Sequence, residues 1–226
     1  MHFIHRKIQA ALLTFLLSVS ASTTLAEEAE QASEAPRTFD SLVLVEDSAV
    51  QVAYIDPDAD FSVFKRVAIL EPYVAFRSNW QRDQNRSRSV NVSARDMGRI
   101  KNDVATLFER EFTDRLEAAG YEVVSEGAED VLILRPAVID LDITAPDTRS
   151  AGRTRTFTAN TGAATLYIEL FDSLSGDLVG RAADRRSARG SGFVTWSNSV
   201  TNSADARRMF GQWADKLIGF LDKHYK

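Results

Sequence analysis

The stretch DVLILRPAVIDLDIT, residues 130–144, decides the fold, because it combines a dense run of aliphatic residues with two regularly spaced carboxylates. Val, Ile and Leu are typical of buried strands. Successive side chains of a strand point to opposite faces, so Val138, Asp140 and Asp142 share one face. The other face carries Val131, Ile133, Ala137, Ile139, Leu141 and Ile143. We therefore predict a long strand whose aliphatic face reaches the core and whose carboxylates face outward.

Further strands are predicted on both sides of this one. KRVAILEPYVAF (Lys65–Phe76) is β-rich, and Pro72 indicates an edge strand or a bend, since proline cannot donate a ladder hydrogen bond. YEVV, residues 121–124, predicts a short strand. GAATLYIELFD and LVGRAADRRSAR alternate apolar with polar residues and predict a hairpin that turns at Gly176. Residues 41–61 predict an extended segment with turns, because short apolar runs are broken by Asp-Pro and Asp-Ala-Asp.

An amphipathic helix is predicted from Ala94 to Ala119. Ser93 precedes it and can form a capping box with Asp96, and Gly120 follows it in the position that favours a left-handed residue. Its apolar residues recur at steps of three and four, as expected for one buried helix face. They are Met97, Ile100, Val104, Leu107, Phe108, Phe112 and Leu116.

A second helix is predicted from Ala204 to about Lys223, capped by Asn202 or Ser203. It would bury Phe210, Trp213, Leu217, Phe220 and Leu221. The order of strand, helix, several strands and helix indicates an α+β fold. We predict a single domain with a mostly antiparallel sheet of about five strands and two amphipathic helices packed on one face.

The first 26 residues have the pattern of a secretory signal peptide. MHFIHRK is basic, IQAALLTFLLSV is apolar but shorter than the roughly 20 residues that span a bilayer, and SASTTLA is small and polar. We predict cleavage after Ala26, with a cut after Ala21 or an uncleaved membrane anchor as alternatives. Residues 27–40 are acidic and contain proline, so we predict a flexible lead-in to a domain at 41–226.

Composition argues against several classes of function. Cleavage after Ala26 would leave 25 basic and 32 acidic residues, a net charge of −7, so binding to nucleic acid is not expected. The chain has no cysteine, and His224 would be the remaining histidine. Zinc sites and catalytic triads need those residues, so no cofactor and no metal site of that kind is predicted. No transmembrane span is expected after cleavage.

Asp140 and Asp142 are the best candidate pair for chemistry. At about 3.3 Å per residue their Cα atoms would lie roughly 6.6 Å apart, and glycosidase carboxylates are separated by about 5–5.5 or 6.5–9.5 Å. The pair could also bind Ca²⁺ together with Asp147 or Asp172. The alternative is that both form ion pairs on a semi-polar sheet face, for which Arg181 or Arg185 on the hairpin are candidate partners.

Two arginine-rich loops are the candidate binding surface. Residues 77–99 contain six arginines against two aspartates, and residues 148–156 add three more arginines. Arginine pairs with phosphate and carboxylate groups through two parallel hydrogen bonds, and an indole can stack on a sugar or cation. The predicted binding residues are Arg77, Trp80, Arg82, Arg86, Arg88, Arg149, Arg153 and Arg155. The alternative is that these arginines lie in solvated loops and only offset the negative charge of the rest of the chain.

Four segments together resemble the domain-of-unknown-function family 3313. They are YIDPDADFSVFKRVAILEPYVAFRSNW, APDTRSAGRTRTF, SGDLVGRAADRR and WSNSVTNSADARRMFGQWA, within residues 54–221. The resemblance implies an α+β protein of the bacterial envelope with no assigned reaction, most members being predicted lipoproteins. This chain lacks the cysteine that would carry the lipid, so we expect a periplasmic or secreted form that is not lipid-anchored.

Three functions remain open. The preferred hypothesis is a non-enzymatic periplasmic accessory module that binds an envelope protein or an anionic envelope polymer through the arginine-rich loops. The first alternative is a periplasmic hydrolase that acts on a sugar polymer through Asp140 and Asp142. The second is a small-ligand carrier, which would require a deep apolar pocket between sheet and helices. The oligomeric state cannot be read from the sequence.

Overall fold

A mixed β-sheet with helices packed on one face makes up the computed structural model, which describes residues 40–86, 91–143, 162–187 and 199–224. The strands are β1 (Val43–Leu44), β2 (Val52–Ile55), β3 (Arg66–Ile69), β4 (Tyr73–Phe76), β5 (Glu122–Val124), β6 (Val131–Asp142), β7 (Ala163–Asp172) and β8 (Leu178–Ser187). The helices are α1 (Trp80–Arg86), α2 (Ala94–Ala118) and α3 (Ser199–His224), with a short 3₁₀ helix at Phe61–Val63. All these elements fall in one compact unit, residues 37–226.

The sheet runs in the order β1-β2-β8-β7-β6-β3-β5, and β4 also pairs with β6. β3 pairs parallel with β5 and β6, and β4 pairs parallel with β6, whereas β6, β7 and β8 form an antiparallel meander. The α+β class is confirmed, but the sheet has eight described strands instead of about five and is mixed. Residues 41–61 contribute β1 and β2, and the chain between Ile69 and Tyr73 breaks the predicted first strand into β3 and β4. Helices α1 and α2 lie in the connection that leads to β5, the kind of crossover that the parallel β3–β5 pair requires.

Helix α2 forms as predicted, with a capping box in which Ser93 and Asp96 satisfy each other's backbone N–H groups. Gly120 follows it at φ +93°, in the left-handed region. Helix α3 begins at Ser199, five residues before the predicted start, so Asn202 and Ser203 lie inside the helix and do not cap it. Within the described part of the chain, no helix is both apolar enough and long enough to span a membrane.

The core lies between the two long helices and one face of the sheet. α2 contributes Phe108 and Phe112, whose rings stack at 4.0 Å, and α3 contributes Phe210 and Trp213. The sheet contributes alternate residues of β7, as the hairpin pattern predicted. These are Ala164, Leu166, Ile168 and Leu170. Burial of aliphatic and aromatic side chains, at about 25 cal/mol per Å² of apolar surface, is the main source of stability.

The face assignment of β6 is the main error of the sequence analysis. Leu132, Leu134 and Val138 are fully buried against the helices, whereas Ile133 and Ile139 lie half-buried on the opposite face. A bulge then shifts the register between Ile139 and Asp142, and Asp140 adopts a φ of +51°. The extra residue turns the strand over, so Leu141 returns to the core. The predicted face is therefore wrong before the bulge, and the predicted regular alternation ends at Asp140.

The opposite face of the sheet carries a polar cluster on β6 and β7. Arg135 pairs with Glu169 directly across the strands and also covers the ring of Phe171 at 4.8 Å. The Tyr167 hydroxyl donates to the other Glu169 oxygen at 2.8 Å. Burial, followed by the interaction with Glu169, raises the pKa of Tyr167 to about 12.

We expect Tyr167 to make stability sensitive to alkaline pH. Its folded pKa of about 12 lies above the ordinary value of 10, so its contribution is intact below pH 10 and is lost as the pH rises towards 12. Titration of phenolate absorbance should show a late-titrating tyrosine that is missing in Tyr167→Phe. The assignment fails if the two proteins differ by one group that titrates near 10.

Candidate functional site

The two candidate catalytic carboxylates lie at the bulge of β6, where the regular alternation of side chains that predicted their common face is interrupted. Asp142 lies 2.9 Å from Arg77, just after β4, and Asp140 lies 3.9 Å from Arg185 on β8. Both side chains are well exposed, with 57% of Asp140 and 36% of Asp142 accessible. Each carboxylate therefore faces its own arginine on open surface.

A metal site at these carboxylates finds no support in the structure. Of the other two proposed ligands, Asp147 lies outside the described residues, and Asp172 accepts backbone hydrogen bonds in the β7–β8 turn. Across residues 40–86, 91–143, 162–187 and 199–224, the acidic and histidine side chains form no group of three that could hold a metal ion.

Trp80 is an anchor of the chain and not a ligand surface. It begins α1, a short helix within the segment predicted to be a loop. Its ring stacks on Phe76 at 3.9 Å, its indole N–H donates to the Ile143 carbonyl at 2.7 Å, and only 1% of the residue is exposed. The indole therefore has no face open to a sugar or a cation, in contrast to the expected stacking role.

Helix α1 is held in place at both ends. Both its first and its last turn are tied to Val92, whose carbonyl accepts from Gln81 at 2.8 Å and whose backbone N–H donates to Asn85 at 2.7 Å. Trp80, Val92 and Ile100 form a small buried cluster between α1 and α2. The side chains on the outer side of α1 are therefore presented by a fixed backbone.

Three of the predicted binding arginines surround Asp83 on this helix. Arg77 donates to Asp83 at 2.8 Å and also contacts Asp142, so its charge is already balanced. That hydrogen bond holds the pKa of Asp83 below its usual range. Arg82 and Arg86 lie 3.8 and 4.0 Å from Asp83 and are 59% and 71% exposed, so both remain open to a partner. Arg88, Arg149, Arg153 and Arg155 lie outside the described residues.

A cavity of about 450 Å³ lies between the sheet and α3, and sequence reasoning did not locate it. Its walls come from the inner face of β2, β7 and β8 and from the last turns of α3, and residues 45–50 close one side. The sequence feature that could have indicated the cavity is the small size of Ala53 and Ala182. These two residues are directly opposite each other across β2 and β8. Alanine in a strand does not by itself distinguish a cavity from close packing.

The fold defines a class of protein before any family is considered: an α+β domain with two long helices on one face of a mixed sheet. The chain belongs to the family described as "Protein of unknown function (DUF3313)", whose model matches residues 31–217. A comparison with curated proteins finds no match.

Several solved structures are similar over part of the chain. The PelC dodecamer from Paraburkholderia phytofirmans is 15% identical, with a TM-score of 0.36, and the match covers 68% of this chain and 89% of that one. A hypothetical protein from Chlamydia trachomatis is 12% identical with a TM-score of 0.36, covering 70% and 98%. A minor lipoprotein from Acinetobacter baumannii is 11% identical with a TM-score of 0.31, covering 69% and 91%. Likenesses at this level carry no argument about ligand, assembly or location.

Proposed function

We propose that the chain is an exported, non-enzymatic accessory protein of the bacterial envelope that binds an anionic partner through the outer side of α1. The observation that carries this proposal is the fixed helix with two outward arginines, Arg82 and Arg86, beside an already neutralised Arg77. Arg88 and the arginines of residues 149–155 are proposed to extend the same surface. The signal-like leader supports export to the periplasm or beyond, without a lipid anchor.

The chemistry of the partner follows from the guanidinium group. Arginine binds carboxylate and phosphate groups through two parallel hydrogen bonds. A backbone that is already fixed loses little conformational entropy on binding. The partner is therefore an acidic envelope protein or a phosphate-bearing envelope polymer, and both share an anionic surface.

Hydrolysis through Asp140 and Asp142 is the weaker candidate. A glycosidase needs two carboxylates that face one substrate, with one of them held protonated. Here the bulge interrupts the regular strand between them, and each carboxylate lies beside a different arginine.

Reversing the charge of both arginines should strongly weaken binding while leaving the fold intact. We expect Arg82→Glu with Arg86→Glu to weaken capture of the partner by roughly tenfold or more at low salt, because attraction becomes repulsion. The measurement is crosslinking in intact cells, followed by identification of the attached protein or polymer and by pull-down at two salt concentrations.

A matched control reverses Arg207 and Arg208, two exposed arginines on α3 that change the net charge equally. This control should retain the crosslink. Equal capture by the two double variants, or capture by wild type that does not fall with added salt, would contradict the proposal.

A further inference from the structure

The cavity under α3 is lined by apolar side chains that reach it from both layers. Leu166, Ile168 and Leu170 of β7 form its floor, and Leu217 and Phe220 of α3 form its roof. Leu217 and Phe220 point towards the sheet yet remain only half-buried. Interiors of proteins are normally packed with few voids larger than a water molecule. A partly open apolar space of about 450 Å³ therefore departs from ordinary close packing.

Small residues on the sheet create this space. Ala182 of β8 is opposite Ala53 on one side and Ile168 on the other, so at this one position the two neighbouring strands β2 and β8 each present only a methyl group to α3. Gly219 on α3 lines the same cavity, and a Cβ added there would meet no atom within 4 Å. Larger side chains at these positions would fill the space without a change of backbone.

Two carboxylates of the cavity wall are already paired, whereas the Arg181 Nε atom in the same wall is buried without a hydrogen-bond partner. Asp184 accepts hydrogen bonds from the Trp213 indole at 3.0 Å and from the Lys216 amino group at 2.9 Å. Asp215, at the rim, pairs with Arg115 at 2.6 Å. Because the wall is mostly apolar, an occupant gains mainly by removing apolar surface from water.

We propose that this cavity binds a small molecule with an extended, uncharged apolar body, such as an alkyl chain, whose polar end stays at the rim. Volumes of about 300–1,000 Å³ are typical of small-ligand sites, and an engineered apolar cavity of about 150 Å³ already binds benzene. The rim carries charges of both signs, from Asp47, Asp215 and Lys223, so a polar end of either sign or of none can remain solvated there.

A small molecule fits this site better than a protein partner does. Protein interfaces have an apolar patch at their centre, and such patches extend over the surface. None of the four large, exposed hydrophobic residues in the described part of the chain lines the cavity. They are Val63, Leu70, Tyr73 and Leu174. The apolar surface here lies within a partly open cleft whose rim is charged.

The test is titration of the purified protein, first passed over a hydrophobic resin to remove any bound lipid, with N-phenylnaphthylamine. This neutral dye fluoresces in apolar surroundings. We expect saturable fluorescence with one site per chain, displaced by decanol. Ala182→Leu should weaken dye binding by roughly tenfold or more, because it fills the space from the sheet. The matched control is Ala183→Leu, whose side chain lies on the opposite sheet face, and it should bind as wild type does.

A second pair of variants guards against misfolding. Gly219→Leu places a side chain in the cavity and replaces a helical glycine, so it should weaken dye binding while raising helix stability. Gly98→Leu on α2 is its control, since that glycine is also helical with nothing within 4 Å of an added Cβ. Arg82→Glu with Arg86→Glu should leave dye binding unchanged. Dye binding therefore tests the cavity independently of the proposed binding surface on α1.

Three results would overturn the inference. The first is the absence of saturable dye binding by the cleaned wild-type protein. The second is equal binding by the cavity variants and their two controls. The third is dye binding that weakens as protein concentration rises, which would show that a second copy of the chain fills the cavity.

Discussion

Replacing Asp184 by alanine is expected to lower the free energy of unfolding by about 3–5 kcal/mol, the range for breaking a buried ion pair from one side. Asp184 is 5% exposed and lies on the core face of β8. Its carboxylate accepts from the Gln51 backbone and from Arg186, Trp213 and Lys216, at 2.9–3.2 Å. The alanine variant would leave these donors without an acceptor, and Lys216 would keep a largely buried charge.

The control for this prediction is Asp215→Ala. Asp215 also pairs with a cation, but both partners are exposed, so its loss should cost less than about 1 kcal/mol. Denaturant unfolding of both variants measures the difference. A loss below that of Asp215→Ala in the Asp184 variant would refute the assigned role.

The same residue gives a pH dependence. Burial raises the pKa of Asp184, but hydrogen bonds from Arg186, Lys216 and Trp213 together outweigh it and hold the pKa below its ordinary value. A carboxylate with a lowered folded pKa stabilises the protein above its unfolded pKa of about 3.9 and loses this contribution as the pH falls through the folded pKa. The difference in stability between wild type and Asp184→Asn should therefore shrink below about pH 4.

Replacing Trp80 by alanine is the second large effect, with an expected loss of about 3–5 kcal/mol, as for other buried aromatic residues. The ring packs between Phe76 on one side and Val92 and Ile100 on the other. Its N–H donates a hydrogen bond to the Ile143 carbonyl. Trp80→Phe keeps the stacking and loses the hydrogen bond, so it should cost clearly less. Denaturant midpoints at unchanged slope give both values.

Trp80 also connects stability with the proposed binding surface. Since it fixes the start of α1, Trp80→Ala should weaken capture of the anionic partner even at temperatures where the domain stays folded. Trp80→Phe should retain most of it. A Trp80→Ala variant that unfolds like wild type would refute the anchoring role.

Sequence patterns correctly predicted the elements that are determined by interactions between residues close together in the chain. Helix α2 and its capping box follow from apolar spacing and from Ser93 and Asp96, and the β7–β8 hairpin follows from alternation around Gly176. The face of β6 could not be predicted, because residues 131–139 are apolar on both faces apart from Arg135. The bulge depends on a positive φ at Asp140. Aspartate tolerates this conformation, but the presence of an aspartate does not predict it.

The candidate site was harder to predict, because it depends on contacts between distant parts of the chain. A tryptophan among arginines has the composition of a ligand surface, yet Trp80 is buried by Ile143, a residue 63 positions away. The cavity arises where β2 and β8 bring two alanines together from opposite ends of the domain. Neither contact leaves a signal in the nearby sequence.

The pairing of β2 with β8 also has a kinetic consequence. It joins Ala53 to Ala182, and the Gln51 backbone to Asp184, 133 residues further along the chain. Contacts of such long range close a large loop and are made slowly compared with a helix or a hairpin. Strand β2 joins the rest of the sheet only through β8, so it cannot do so before β8 has been synthesised. We therefore expect the wall of the cavity that β2 forms to be completed late in folding.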